Sequence, residues 1–244
     1  MTSSTIAIPP QIYARIAGIL YLIIAVFGGF AIGYVPSVIV AAGNAATTAA
    51  NLLSHQALFG MGVFADVVVM LTEVVLTVML FVLFKPVSPT LSMVAMVSRL
   101  MMVAVMAVNL LINVLPLILL RGTVTGFAPE QLQATALVVI EAHQYGVYVW
   151  DMFFGFHLAV LGYLIFRSGY FPRSLGVAIL IGSSGYFLQG LVKVAFVDNA
   201  ALSTIVVGLL VVASISELSF ALWLLIKGLN VTVWDRRLAV PATA

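Results

Sequence analysis

Residues 59–120 carry the feature that most constrains how this chain can fold: two long apolar runs joined by a short turn at Lys85 and Pro86. Polar side chains are scattered through both runs, namely Asp66, Glu73, Arg99, Asn109 and Asn113. Soluble cores rarely contain apolar runs this long, and a lipid-facing helix would not bear so many polar groups. Both facts agree if each run spans a membrane and directs its polar residues toward neighbouring helices or a cavity.

The rest of the chain has the same character. Of its 244 residues, 64% are hydrophobic and 7% are charged, whereas roughly 25% are charged in soluble domains. Repeated runs of about 20 apolar residues predict an all-α, polytopic membrane protein with six transmembrane helices. The predicted spans are residues 14–34, 57–84, 91–120, 145–166, 175–196 and 202–226.

A short interfacial helix is expected before the fourth span, over residues 126–140. One straight helix from Pro129 to Phe166 would be about 57 Å long, which exceeds the thickness of a bilayer. We therefore expect a short interfacial helix that either continues into the fourth span or is separated from it by a break near Gly146.

The sequence predicts one membrane domain with two tails. Residues 1–13 are expected to form a disordered N-terminal tail, residues 14–230 the six-helix transmembrane domain, and residues 231–244 a cytoplasmic C-terminal tail, disordered from Pro241. The first apolar run is longer than the roughly 7–15 residues of a signal-peptide core, so we expect it to be retained as a helix.

The distribution of positive charge predicts the orientation. If both termini are cytoplasmic, eight basic residues lie at or near the inner side: Arg15, Lys85, Arg99, Arg167, Arg173, Lys227, Arg236 and Arg237. Only Arg121 and Lys193 then lie toward the outside. The positive-inside rule favours this arrangement, with the lipid bilayer as the surroundings. The net charge of +2 and the lack of a basic face argue against a nucleic-acid partner.

The candidate site consists of the ionisable residues within the spans, each of which costs roughly 2.5–3.5 kcal/mol at the bilayer centre. At about 1.5 Å of rise per residue, four of them share an inner-half layer: Glu73, Arg99, His157 and Glu217. Five polar residues share an outer-half layer: Asp66, Asp151, Lys193, Gln189 and Asn109. We expect Asp151 to pair with Lys193, and Arg99 to pair with either Glu73 or Glu217.

Two interpretations of these residues stay open. The pairs either join helices as structural contacts, or they line a polar pathway or ligand cavity. Four acids against two bases leave a surplus acid, which would be protonated, bound to a cation or exposed to water. This surplus supports a non-enzymatic protein with a small polar cavity that binds or passes a small solute or ion.

The alternative is an accessory subunit that packs against a larger membrane complex. Gly-rich and Met-rich faces would form the contact, and the methionines concerned are Met93, Met96, Met101, Met102 and Met106.

No motif in the sequence indicates catalysis. Metalloprotease, nucleophile-elbow, phosphate-loop and dinucleotide-binding patterns are all absent, so no catalytic or metal-binding residue is assigned. The lack of cysteine excludes disulfides and thiolate metal sites. His143 and His157 share a helix face at a spacing that suits two stacked haems, but His157 has no evident second axial ligand. A retinal lysine at Lys193 is disfavoured by the six spans. We expect no cofactor.

Three stretches together resemble a known family. They are ARIAGILYLI at residues 14–23, GYLIFRSGYFPRSLG at residues 162–176 and ELSFALWLLIKGLN at residues 217–230. They are similar to the bacterial integral membrane family described as domain of unknown function 4386, and the Arg-Ser-Gly-Tyr-x-Pro-Arg turn is the most specific part. The resemblance implies a six-helix protein of the bacterial cytoplasmic membrane and implies no activity or catalytic residue.

Overall fold

Helices form nearly all of the chain in the computed structural model, which describes residues 9–122, 125–197 and 199–239. The helices are α1 Pro10–Gly28, α2 Val35–Ile39, α3 Ala45–Ser54, α4 Gln56–Phe84, α5 Pro89–Leu120, α6 Pro129–Ser168, α7 Arg173–Val194, α8 Ala200–Ile226 and α9 Val231–Ala239, with a π-helical turn at Gly29–Tyr34 between α1 and α2. Within the described residues, six helical segments are long and apolar enough to cross a membrane. The predicted all-α class and the six spans are confirmed.

The chain ends differ in detail from the predicted tails. The first helix begins at Pro10, four residues earlier than expected, because proline is well suited to the first helical position. Residues 1–8 lie outside the described residues. At the other end α9 occupies most of the predicted C-terminal tail, and the expected disorder from Pro241 also falls outside the described residues.

The short interfacial helix expected before the fourth span is continuous with that span. α6 runs without interruption for 40 residues, and its N-terminal part packs against α3. Of the two expectations for Gly146, that the helix continues or that it breaks, the structure shows the first. Gly146 makes room for another helix, because a Cβ atom there would overlap the side chain of Asn109 on α5. At about 1.5 Å per residue, α6 is about 60 Å long and therefore extends beyond the bilayer core.

The long helices form a closed ring in chain order. α4, α5, α6, α7 and α8 each pack against the next, and α1 contacts both α4 and α8. Glycines allow the closest approach: a Cβ atom at Gly155 would lie 2.7 Å from the backbone nitrogen of Phe187, and one at Gly162 would lie 2.8 Å from the carbonyl oxygen of Gly176. Small residues of this kind let membrane helices pack backbone to backbone.

One end of the ring is held together by side chains that reach backbone carbonyl groups. The Tyr170 hydroxyl and the Trp234 indole Nε1 both donate to the carbonyl oxygen of Leu83, at 2.6 and 3.1 Å. Gln11 Nε2 donates to the carbonyl oxygen of Lys227 at 2.9 Å. The start of α1, the turn after α6 and the C-terminal helix α9 therefore lie at the same end of the bundle.

Candidate functional site: a polar cavity between the helices

Arg99 on α5 is the centre of the polar cluster. Its side chain is buried inside the ring, and its Nε donates to Glu73 Oε2 on α4 at 2.5 Å. Its Nη1 lies 3.3 Å from the hydroxyl of Tyr21 on α1 and 2.9 Å from Nε2 of His157 on α6. The guanidinium carbon also lies 5.1 Å from the ring centroid of Tyr21 and 5.9 Å from that of Phe154. Four helices thus meet at one buried cation.

Hydrogen bonding defines the state of His157. Its Nδ1 faces the carbonyl oxygen of Ala95 at 2.8 Å, and a carbonyl group can only accept, so Nδ1 carries the proton. Its Nε2 faces Arg99, which can only donate, so Nε2 accepts. His157 is therefore a neutral imidazole with both ring nitrogens engaged, and neither nitrogen is available to a haem iron.

A cavity of about 450 Å³ lies beside this cluster. Its wall includes Glu73 and Arg99, and the remaining residues are mostly apolar and aromatic: Tyr21, Ile24, Ala25, Gly28, Gly29, Ile32, Val69, Trp150, Phe154, Tyr186, Ser214, Glu217, Leu218 and Ala221. The π-helical turn begins at Gly29, in the wall itself, and such turns are frequent at functional sites. The volume lies within the range of small-molecule sites, roughly 300–1,000 Å³.

Glu217 on α8 is the second acid in the cavity wall. Its Oε1 is buried and has no hydrogen-bond partner among the described residues. The Tyr186 hydroxyl on α7 and the Arg99 guanidinium group are both close enough to interact with the same carboxyl group. Within the described part of the chain, however, the ion pair that forms is the one between Arg99 and Glu73.

The four predicted inner-layer residues are brought together, whereas in the predicted outer layer the hydrogen bond that the described residues show joins Asp151 to Gln189. Asp66 is buried on α4 but does not line the cavity. Asp151 accepts a hydrogen bond from Gln189 Nε2 at 2.8 Å instead of pairing with Lys193. Lys193 is exposed near the end of α7, because a lysine ammonium remains hydrated when its stem can reach the interface. The expected pair of Asp151 with Lys193 is therefore wrong.

Sequence reasoning missed the aromatic part of the site. Trp150 stacks on Phe154 with ring centroids 4.8 Å apart, and Tyr186 meets Phe154 edge-on, also at 4.8 Å. Tyr21 of the first span also belongs to this aromatic part. The available signal was its position in the middle of that span, where a buried phenol needs a hydrogen-bond partner.

Other chemistry has little support in this arrangement. Among the described residues, no group of three or more His, Asp or Glu side chains could hold a metal ion.

The five methionines named for the accessory-subunit alternative do not form one face. Met102 and Met106 are buried, whereas Met93 and Met101 are exposed.

Six apolar spans around a buried polar cluster define a multi-pass helical membrane protein. Within this class, the chain belongs to the family described as "Domain of unknown function (DUF4386)", which it matches over residues 16–228. The resemblance seen in the three sequence stretches is therefore confirmed, and it extends through all six spans.

The comparisons also include a curated relative. An "Uncharacterized protein" of Archaeoglobus fulgidus is 39% identical over 77 residues, which amount to 32% of this chain and 43% of the relative. The chain thus spans less than half the length of the curated relative that it matches. No solved structure matches the chain.

Proposed function

We propose that this protein is a non-enzymatic helix bundle whose intramembrane cavity binds or passes a small solute or ion. The observation that carries the proposal is the carboxyl group of Glu217, which lies in the cavity wall with one buried oxygen that has no hydrogen-bond partner in the described part of the chain. Buried polar groups that serve only to join helices are normally hydrogen-bonded. A carboxyl group beside a space of ligand size is better explained by an occupant of that space.

The neighbouring ion pair supports the same conclusion. Arg99 and Glu73 already neutralise each other, and Nη1 of the guanidinium group is hydrogen-bonded to His157 and Tyr21. This cluster joins α1, α4, α5 and α6 without any contribution from Glu217. We therefore assign the structural role to the Arg99 cluster, which holds the helices together. We assign the functional role to the part of the cavity wall that carries Glu217, which contacts the solute.

We place the protein in the cytoplasmic membrane of a bacterium, with both termini in the cytoplasm. The support is the excess of arginine and lysine at one end of the bundle, the end where the start of α1 and α9 lie. Because the chain has no cysteine, single cysteines can be introduced and labelled cleanly. In intact spheroplasts a membrane-impermeant maleimide should label Ala128→Cys and leave Thr90→Cys and Ala239→Cys unlabelled. The reverse pattern would overturn the orientation.

Filling the cavity tests whether it binds anything. Gly29 lines the cavity, and a Cβ atom there meets nothing within 4 Å, so Gly29→Leu should occupy the space without a backbone clash. Gly33 lies in the same π-helical turn, outside the wall and with the same open surroundings. Gly33→Leu is therefore the matched control.

The binding assay uses three aromatic probes of similar size and different charge: benzyltrimethylammonium, neopentylbenzene and benzylsulfonate. Calorimetric titration of the protein in nanodiscs should detect at least one probe with wild type and with Gly33→Leu. Gly29→Leu should lose that signal, which separates cavity binding from partition into lipid. If no probe gives a signal that depends on Gly29, the proposal fails.

A further inference from the structure

The cavity contains two acid-and-aromatic groupings, and only one of them holds a cation. In the first, Glu73 pairs with the Arg99 guanidinium group, and Tyr21 and Phe154 present their rings to that group at 5.1 and 5.9 Å. Carboxylate and ring faces together stabilise a desolvated cation. The first grouping therefore shows how this wall accommodates positive charge.

The second grouping has the same composition. Glu217 supplies the carboxyl group, and Tyr186 and Trp150 supply two rings whose centroids lie 6.3 Å apart and nearly perpendicular. The Tyr186 hydroxyl is close enough to the Glu217 carboxyl group to interact with it, so the acid and this ring lie side by side in the wall. Among the described residues, no lysine or arginine other than Arg99 lines the cavity, and Arg99 is paired with Glu73.

The rest of the wall favours an organic cation over a bare metal ion. Hard metal ions require several oxygen ligands around one point, and the described residues contain no group of three acidic or histidine side chains that could supply them. Aliphatic and aromatic side chains instead form most of the cavity wall that carries Glu217. Such a wall suits an occupant that exposes methyl or methylene groups around its charge, as quaternary and substituted ammonium ions do.

We infer that the cavity recognises a small apolar ammonium ion, with Glu217 as its counter-ion and Trp150 and Tyr186 as the rings against which it packs. This inference rests on the proposed function and names the class of solute. The ammonium ion is to Glu217 and its two rings what the Arg99 guanidinium group is to Glu73 and the rings of Tyr21 and Phe154. Arg99 itself stays paired with Glu73 and excludes a second cation from that side.

The three probes in nanodiscs test the inference. Wild type should bind benzyltrimethylammonium about tenfold or more tightly than its neutral isostere neopentylbenzene, and should reject benzylsulfonate, because a desolvated cation–π contact beside a carboxylate exceeds the 1.4 kcal/mol that tenfold requires. In Glu217→Gln the cation should lose this advantage while neopentylbenzene binds as before. Glu130→Gln, at an exposed position in the first turn of α6, is the charge-matched control and should behave as wild type.

The outcomes separate this inference from the proposed function. If neopentylbenzene or benzylsulfonate binds as tightly as the cation in a manner that depends on Gly29, the cavity binds solutes but the inference is overturned. The inference is also overturned if Glu217→Gln keeps full selectivity for the cation. If none of the probes binds, the proposed function itself fails. If Glu217→Gln does not fold, two other measurements still test the inference. They are the preference of wild type for the cation over neopentylbenzene and benzylsulfonate, and the weaker cation binding expected of Trp150→Leu.

Discussion

The ion pair between Glu73 and Arg99 allows a quantitative test of what holds the ring of helices together. Glu73→Gln keeps a side chain of the same length, and its amide oxygen can still accept from Arg99 Nε. Only the negative charge is lost. Arg99, whose side chain is 1% exposed, then remains as a buried cation without its partner. The effect therefore measures charge balance and not packing.

The structure sets the expected magnitude. Removing one member of a buried ion pair costs about 3–5 kcal/mol, and Arg99→Met should cost a similar amount because it also removes the bonds to His157 and Tyr21. The double variant has no unpaired charge and should lose less than the sum. We expect a coupling energy of about 2 kcal/mol, well above the average of about 0.6 kcal/mol for interhelical hydrogen bonds in membranes, because two full charges interact here.

The assay is a double-mutant cycle from reversible unfolding in mixed detergent micelles, followed by circular dichroism. Lys85→Met serves as the control because Lys85 is exposed at the end of α4, so its effect should add to that of Glu73→Gln. A coupling energy between Glu73 and Arg99 no larger than about 0.6 kcal/mol would refute the reasoning. It would show that another group, with Glu217 the nearest candidate, balances Arg99.

Two further predictions concern packing and the end of the bundle that carries Tyr170. Gly155→Ala should destabilise the protein by about 1–3 kcal/mol in the same unfolding assay, because its Cβ atom would press on the backbone of α7. Gly208→Ala is the control. It has open space around it and should be neutral or stabilising by up to about 1 kcal/mol. Tyr170→Phe should cost about 1 kcal/mol at neutral pH for its lost hydrogen bond, and exposed Tyr163→Phe should cost nothing measurable. Burial raises the pKa of Tyr170, so the folded state keeps the phenol neutral while the unfolded chain ionises above about pH 10. Stability of wild type should therefore fall with rising pH above that value, and a Tyr170→Phe variant with an unchanged slope would contradict this assignment.

The number and placement of the spans could be predicted from the order of apolar runs and polar turns along the sequence. Apolar runs separated by charged or proline-containing turns leave few alternatives, since a backbone in lipid must satisfy its hydrogen bonds within each helix. Helix ends followed from local chemistry as well: Ser88 and Asn199 cap α5 and α8 through their side chains, as residues of this type do in most proteins. The length of α6 was the exception, because the sequence left open whether its N-terminal part continues into the fourth span, and the structure shows one helix that packs against α3.

The depth of each polar residue in the membrane was also predictable. The rotation of each helix about its axis and the direction in which a long side chain extends were not. Counting residues from the helix ends placed Glu73, Arg99 and His157 at one level, and the three are in contact. The same count left Glu73 and Glu217 as equal partners for Arg99. It also paired Asp151 with Lys193, although the lysine reaches the interface and Gln189, one turn deeper, bonds the aspartate instead.

The sequence by itself determined a six-span membrane protein with more buried acid than buried base. Only the tertiary structure decided which acid pairs with Arg99, because one guanidinium group carries the charge to neutralise one carboxylate and the packing of α4 against α5 places Glu73 beside it. The same packing leaves Glu217 in the wall of a cavity with aromatic rings from α6 and α7. A cavity is the space that several helices fail to fill together, and no single stretch of sequence encodes it.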